Sequence, residues 1–229
     1  MNSSFKISLI VTLTAITINV IFSLIFYFIK DSKKIHFKKL IELFITLPIF
    51  LPPSVIGYIL LLSLGNNSVI GKFFFNTLNF RFVFSIQGAI IAATVVSLPI
   101  IYQSFKVAFN SIEKPYIETA QCLGVPPLTT LLYIYIPLVY PKLLTGIILG
   151  FGRAFGEFGA TILIAGNIPG RTQTLPLALY TAIESGEYIF ANRVLIILLI
   201  FSSFLLGIYQ IFTNKKSWTF SSFFITIQL

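Results

Sequence analysis

In the stretch GRAFGEFGAT, residues 152–161, a cation and an anion stand four residues apart inside an apolar run. That spacing on a helix puts Arg153 and Glu157 on one face, within reach of each other. Either charge alone costs roughly 2.5–3.5 kcal/mol at the centre of a bilayer on insertion scales, and pairing lowers that cost. Such pairs face a bundle interior or a water-filled cavity. Arg153 could touch a passing anion, but a partner supplied by its own helix favours a structural role. Glycines at 146 and 150, and small residues at 152, 156 and 160, repeat every four positions. Rows of this kind let helix backbones approach closely. The expectation is a tightly packed helix along a translocation route, with Gly156 part of its lining.

Two other stretches carry candidate chemistry. GNIPGRTQT, residues 166–174, reads as a turn because Gly, Asn and Pro interrupt any helix. Asn167, Arg171, Thr172 and Thr174 would offer amide, hydroxyl and cationic donors there, at a gate or in an ordinary polar loop. LPLALYTAIESGEYIF then reads as a short re-entrant or outward-facing helix, since Glu184, Gly186 and Glu187 stop it from spanning. In IEKPYIETAQCL, residues 112–123, Ile112, Ile117, Ala120 and Leu123 can share an apolar face. Gly124 ends that helix, and Pro126 and Pro127 turn the chain before a second helix restarts. A helix–Gly–helix element either presents a ridge to a partner's groove or caps the bundle at the membrane surface.

Other chemistries are excluded or thin. GNNSVIGKF at Gly65 has five residues between its glycines and Phe73 after the lysine, so it is not a phosphate loop. His36 and Cys122 are the only residues of their types, which rules out a multi-His site, a metal cluster and an intrachain disulfide. An embedded enzyme using Glu157 as an acid–base group lacks a usable His or a metal cluster in the spans.

The elements that hold these residues follow from composition. Only 10% of the 229 residues are charged and 56% are hydrophobic, whereas a soluble domain is about a quarter charged. Five apolar runs, residues 7–29, 40–64, 82–105, 138–165 and 194–212, are each close to or above the ~20 residues of a spanning helix. The first is too long for a signal-peptide core and reads as a retained anchor. The second contains Pro48, Pro52 and Pro53, so it is either broken or begins as a helix after Pro53. The fold class is therefore all-α integral membrane, with five spans and room for a sixth, short re-entrant helix. The net charge of +9 belongs to the membrane rather than to nucleic acid. Lys30, Lys33, Lys34, Lys38 and Lys39, with Lys215 and Lys216, place the first connection and the C-terminus in the cytoplasm and the N-terminus outside. Residues 107–137 are then cytoplasmic, and 65–81 and 166–193 external. The apolar tail, residues 217–229, is too short to cross.

Here a resemblance enters. Glu118, Ala120, Gly124, Ile134 and Pro137 stand at the spacing of the EAA motif of importer-type ABC permeases, with Thr119 in place of the middle alanine. GEFGAT and GNIPGRTQTLPLA resemble the matching segments of molybdate permeases; sulfate permeases carry related elements but usually differ after GNIP. The resemblance runs from Leu47 through the last span. It implies a single permease domain, residues 1–229, in the cell membrane, with a coupling helix that docks on a cytoplasmic ATPase. It also implies a homodimer, an ATPase dimer that uses ATP and Mg, an external oxyanion-binding protein, surrounding lipid and no cofactor on this chain. The implied cargo is molybdate, with sulfate or tungstate as the alternatives.

Overall fold

The computed structural model describes residues 2–30 and 38–213, and among them there are helices and turns but no strand. In lipid an unpaired backbone amide has no water to bond, so a long apolar run closes its hydrogen bonds within itself as a helix. Helix α1 (Asn2–Lys30) has neither Gly nor Pro to interrupt it. Next come α2 (Lys38–Thr46), a 3-10 turn (Leu47–Ile49) and α3 (Pro53–Leu64). The axes on either side of Pro52 are bent by 119°, so the second apolar run is not one straight helix. A short apolar helix, α4 (Val69–Leu78), leads to α5 (Ile86–Asn110). Then follow α6 (Lys114–Cys122), α7 (Pro127–Thr130), a π-helical turn (Leu131–Tyr135) and α8 (Ile136–Phe155). The chain closes with α9 (Gly159–Ala165), α10 (Leu175–Glu184) and α11 (Tyr188–Thr213).

Four helices are long and apolar enough to cross a membrane, or five if the bent pair counts as one span. One expected span needs correction. The run 138–165 is not one helix: the continuous helix begins at Pro127, ends at Phe155 and resumes only at Gly159. Arg153 and Glu157 are thus four apart across a helix end, not within one helix. The basic residues Lys33, Lys34, Lys215 and Lys216, His36 and the tail 217–229 lie outside the described residues, as do the side chains of Lys30 and Lys38.

Helix α5 is the centre of the bundle. Ala89, Ala92, Ala93, Ile101, Phe105 and Ala108 on it are all but fully buried, and α1 and α8 pack on either side. The expected row at Gly146 and Gly150 is a true seam. A Cβ on Gly146 would lie 2.3 Å from the Ser104 Cβ, and one on Gly150 would lie 2.4 Å from Ile101 Cγ1. The second row divides: Gly152 has nothing within 4 Å of such an atom, whereas Ala160 is buried against α3. Helix α11 lies outermost, anchored by Val194 and by Phe201, whose ring is 4.3 Å from that of Phe155.

Candidate functional site

Two interrupted helices face each other at the site. A Cβ on Gly57 of α3 would sit 2.7 Å from Ala160 Cα on α9, and one on Gly159 would sit 3.1 Å from Pro53 Cβ. The break after Pro52 therefore packs directly on the break after Phe155. Glu157 occupies the second break and is 2% exposed. Arg153 Nη1 donates to its Oε2 at 2.6 Å, and the Ala160 N–H donates to its Oε1 at 2.8 Å. One carboxylate thus neutralises the last cation of α8 and satisfies a backbone donor in the first turn of α9, where an anion also complements the helix dipole. The Arg153 side chain is one-third exposed, next to the open backbone of Gly152 and Gly156. A cavity of about 420 Å³ opens alongside, lined by Gly156, Phe158, Pro176, Tyr180, Ile183 and Leu198 among others.

The turn after α9 is built from its own polar groups. Gly166 takes a left-handed φ of 67°. The Thr172 hydroxyl accepts the Ile168 N–H at 3.0 Å and donates to the Gly166 carbonyl at 3.4 Å. The Asn167 amide donates to the Thr181 hydroxyl, tying the turn to α10. Thr172 and Thr174 are buried, so the expectation that they present hydroxyls to an entering anion is corrected; of the residues named in this turn, Arg171 alone is exposed. Helix α1 completes the arrangement from across the chain: Ser8 Oγ accepts the Leu175 N–H at 2.8 Å, and Ser4 Oγ donates to Gln173 Oε1 at 3.1 Å.

The helix–Gly–helix element takes its expected form. Gly124 has φ 64°, the Gly124 N–H reaches the Gln121 carbonyl at 3.0 Å and the Val125 N–H reaches that of Ala120 at 3.1 Å. This is a Schellman ending, which glycine makes without steric cost. Ala120 is buried, while Glu118 and Thr119 are exposed. Leu123 does not share the covered face with Ala120: it is 74% exposed, and Leu128 and Tyr133 beyond the turn are exposed as well. Ile134 and Pro137 lie above this tip, in the rising helix. Pro137 has no N–H to give the turn below it, and the Ile136 N–H reaches back five residues to the Leu131 carbonyl, widening the helix into a π turn.

Nothing in this arrangement pairs a nucleophile with a base, and no group of three His, Cys, Asp or Glu could hold a metal among the described residues. A model of the family described as "Binding-protein-dependent transport system inner membrane component" matches residues 20–217. The chain belongs to that family. As one of its multi-pass inner membrane components, it is 36% identical over 183 residues to the Molybdenum transport system permease protein ModB of Haemophilus influenzae, covering 80% of each chain. It is also 36% identical over 199 residues to a probable sulfate transport system permease protein, cysT, of Marchantia polymorpha, covering 85% of this chain and 69% of that one. A crystal structure of an amino acid ABC transporter with histidines superposes with a TM-score of 0.60 at 19% identity, over 91% of this chain and 92% of that one. That likeness establishes the shared permease fold.

One feature of this inner membrane component escaped the reading of its sequence. Ser4, Ser8, Thr12, Asn19 and Ser23 on α1 are all buried. At 100° per residue they fall within one narrow stripe. Asn19 Nδ2 donates to Ser97 Oγ at 2.8 Å and to the Thr94 carbonyl at 3.2 Å, fixing α1 on α5. The spacing of these polar residues by four and seven was the available signal, hidden by an overall hydropathy that says only "span".

Proposed function

We propose that this chain is the membrane-spanning subunit of an ATP-driven importer for a tetrahedral oxyanion, molybdate before sulfate. The observation that carries the reading is the Gly124 element: Leu123, Leu128 and Tyr133 stand uncovered around a glycine turn between two spans, and in this reading they make up a docking ridge. In this reading the ridge docks on a cytoplasmic ATPase that binds ATP and Mg, with Glu118, Thr119 and Ala120 shaping it, and this chain hydrolyses nothing itself. The N-terminus is outside, the C-terminus is cytoplasmic, and the bent α2–α3 pair counts as one of five spans. Two copies form the path and an external binding protein delivers the anion.

The geometry supplies a route for the work. From Pro127 to Phe155 the chain is a single helical rod, running from the ridge to the break at Gly156. Beyond it, α9 is locked to α3 by the Gly57–Ala160 approach. A push at Leu128 travels along α8 and is taken up at Gly156 and Pro52, where two backbones already depart from the helix. A dianion cannot cross hydrocarbon unaided, so such a chain works by opening a protein-lined cavity to one side at a time. The Arg153–Glu157 pair holds the hinge; Arg153 is not counted as a ligand for the anion, because Glu157 already neutralises it. The molybdenum relative from Haemophilus supports molybdate, and the Marchantia relative keeps sulfate as the second reading.

The test is cellular molybdenum content with the chain deleted and restored beside its ATPase and binding protein, at trace molybdate with sulfate in excess. Restored accumulation that sulfate leaves intact supports molybdate. Uptake abolished by sulfate moves the assignment to sulfate, and no restoration of either anion overturns the importer reading.

A further inference from the structure

Helix α4 and the loop after it take no part in the site above. Ser68 starts the helix by accepting the Gly71 N–H at 2.8 Å, and Asn79, with φ 50°, ends it. Its faces have three different characters. Gly71 and Phe74 meet protein: a Cβ on Gly71 would lie 2.0 Å from the Gly65 carbonyl oxygen, and the Phe74 ring stands edge-on to Phe82 at 5.0 Å. Val69, Ile70 and Phe73, three and four residues apart, cover a second face and are 87%, 47% and 62% exposed. Lys72 and Asn76, four apart and exposed, occupy a third. In the following loop the Arg81 guanidinium lies 4.6 Å above the Phe75 ring.

Each simple environment conflicts with one of these faces. Water does not suit three large exposed apolar side chains side by side, and hydrocarbon does not suit Lys72, Asn76 and Asn79. The corner where protein, acyl chains and headgroup water meet suits all three. Connectivity agrees, because only four residues, 65–68, separate α4 from the apolar α3, which itself exposes Tyr58, Ile59 and Leu62. Charge agrees as well: residues 65–88 contain Lys72 and Arg81 and no acidic residue, which complements lipid phosphate. A guanidinium stacked on a ring keeps its N–H edges for a phosphate.

We propose that α4 is a membrane-interface anchor that docks on phospholipid, with Val69, Ile70 and Phe73 among the upper acyl chains and Lys72 and Arg81 against headgroup phosphates. It thereby sets the height of α3, and with it the height of the break that faces Glu157. The proposal is independent of the cargo.

Trp218 is the only tryptophan, so Phe73→Trp in a Trp218→Phe background gives a single reporter. The full-length protein is reconstituted in vesicles whose lipids are brominated either near the carbonyl end or near the terminus of their acyl chains. Emission from the Phe73→Trp reporter is expected to be lost to both labels, more to the shallow one. Asn76→Trp in the same background is expected to be quenched by aqueous acrylamide and spared by both lipids. Ile70→Trp serves as the reporter if Phe73→Trp does not fold. Stronger quenching of the reporter by the deep label overturns the interfacial placement. Quenching of the reporter by acrylamide alone overturns lipid as the occupant and leaves a protein partner or bare water on that face.

Discussion

Replacing Glu157 by Gln tests the hinge most directly. The substitution keeps an acceptor for the Ala160 N–H and removes the charge that Arg153 meets at 2.6 Å. Removing one member of a fully buried ion pair costs about 3–5 kcal/mol. Arg153 is one-third exposed and regains part of its hydration, so the loss falls to that of a charge-assisted hydrogen bond, about 2 kcal/mol. In a chain of this length that corresponds to a midpoint lowered by about 4–8 °C. Arg153→Gln should be worse, because the carboxylate it strands is 2% exposed and cannot reach water. The double variant should recover part of that loss. Thermal unfolding of the detergent-purified protein, followed by size exclusion, measures all three and closes a double-mutant cycle. If Arg153→Gln is no more harmful than Glu157→Gln, or if the two losses simply add, the reasoning about this pair is refuted.

Three further outcomes are expected. Gly146→Ala places a methyl 2.3 Å from the Ser104 Cβ and should cost about 1–3 kcal/mol of overpacking, whereas Gly152→Ala meets nothing within 4 Å and should leave the yield of folded protein unchanged. Gly124→Val has open space but a φ of 64°, so it should cost about 1–2 kcal/mol, insert normally and lose ATPase in a co-purification assay; normal uptake by that variant would sink the coupling role. Ser8→Ala removes the acceptor of the Leu175 N–H and should weaken the start of α10 by about 1 kcal/mol, seen as faster amide hydrogen exchange in its first turn with exchange in α5 unaltered.

The spans, the Gly124 stop and the Gly146–Gly150 seam were legible because each depends on local chemistry: hydropathy, a left-handed φ and the absence of a Cβ. Breaks were harder to read. Pro52 announced one, but the interruption at Gly156 looked like more of the same apolar run, since glycine permits a helix as well as a turn. The Glu157 carboxylate reaches forward to the Ala160 N–H there, a local cap three residues on that neither the apolar pattern nor four-residue spacing reveals. The same spacing argument predicted that Arg153 and Glu157 would meet, and they do, although for a different geometric reason. Thr172 and Thr174 were placed as donors at a mouth because hydroxyls in loops usually face water; here the turn folds over them.

The serine stripe of α1 bears on how the protein is made. Ser8 bonds a backbone group 167 residues further along the chain, and Asn19 bonds a side chain 78 residues away. Two of its side-chain bonds therefore form only once α5, and then the start of α10, have been made. A chain cut short before α10 lacks the Leu175 N–H that Ser8 accepts, so the packing of α1 depends on the far end of the sequence.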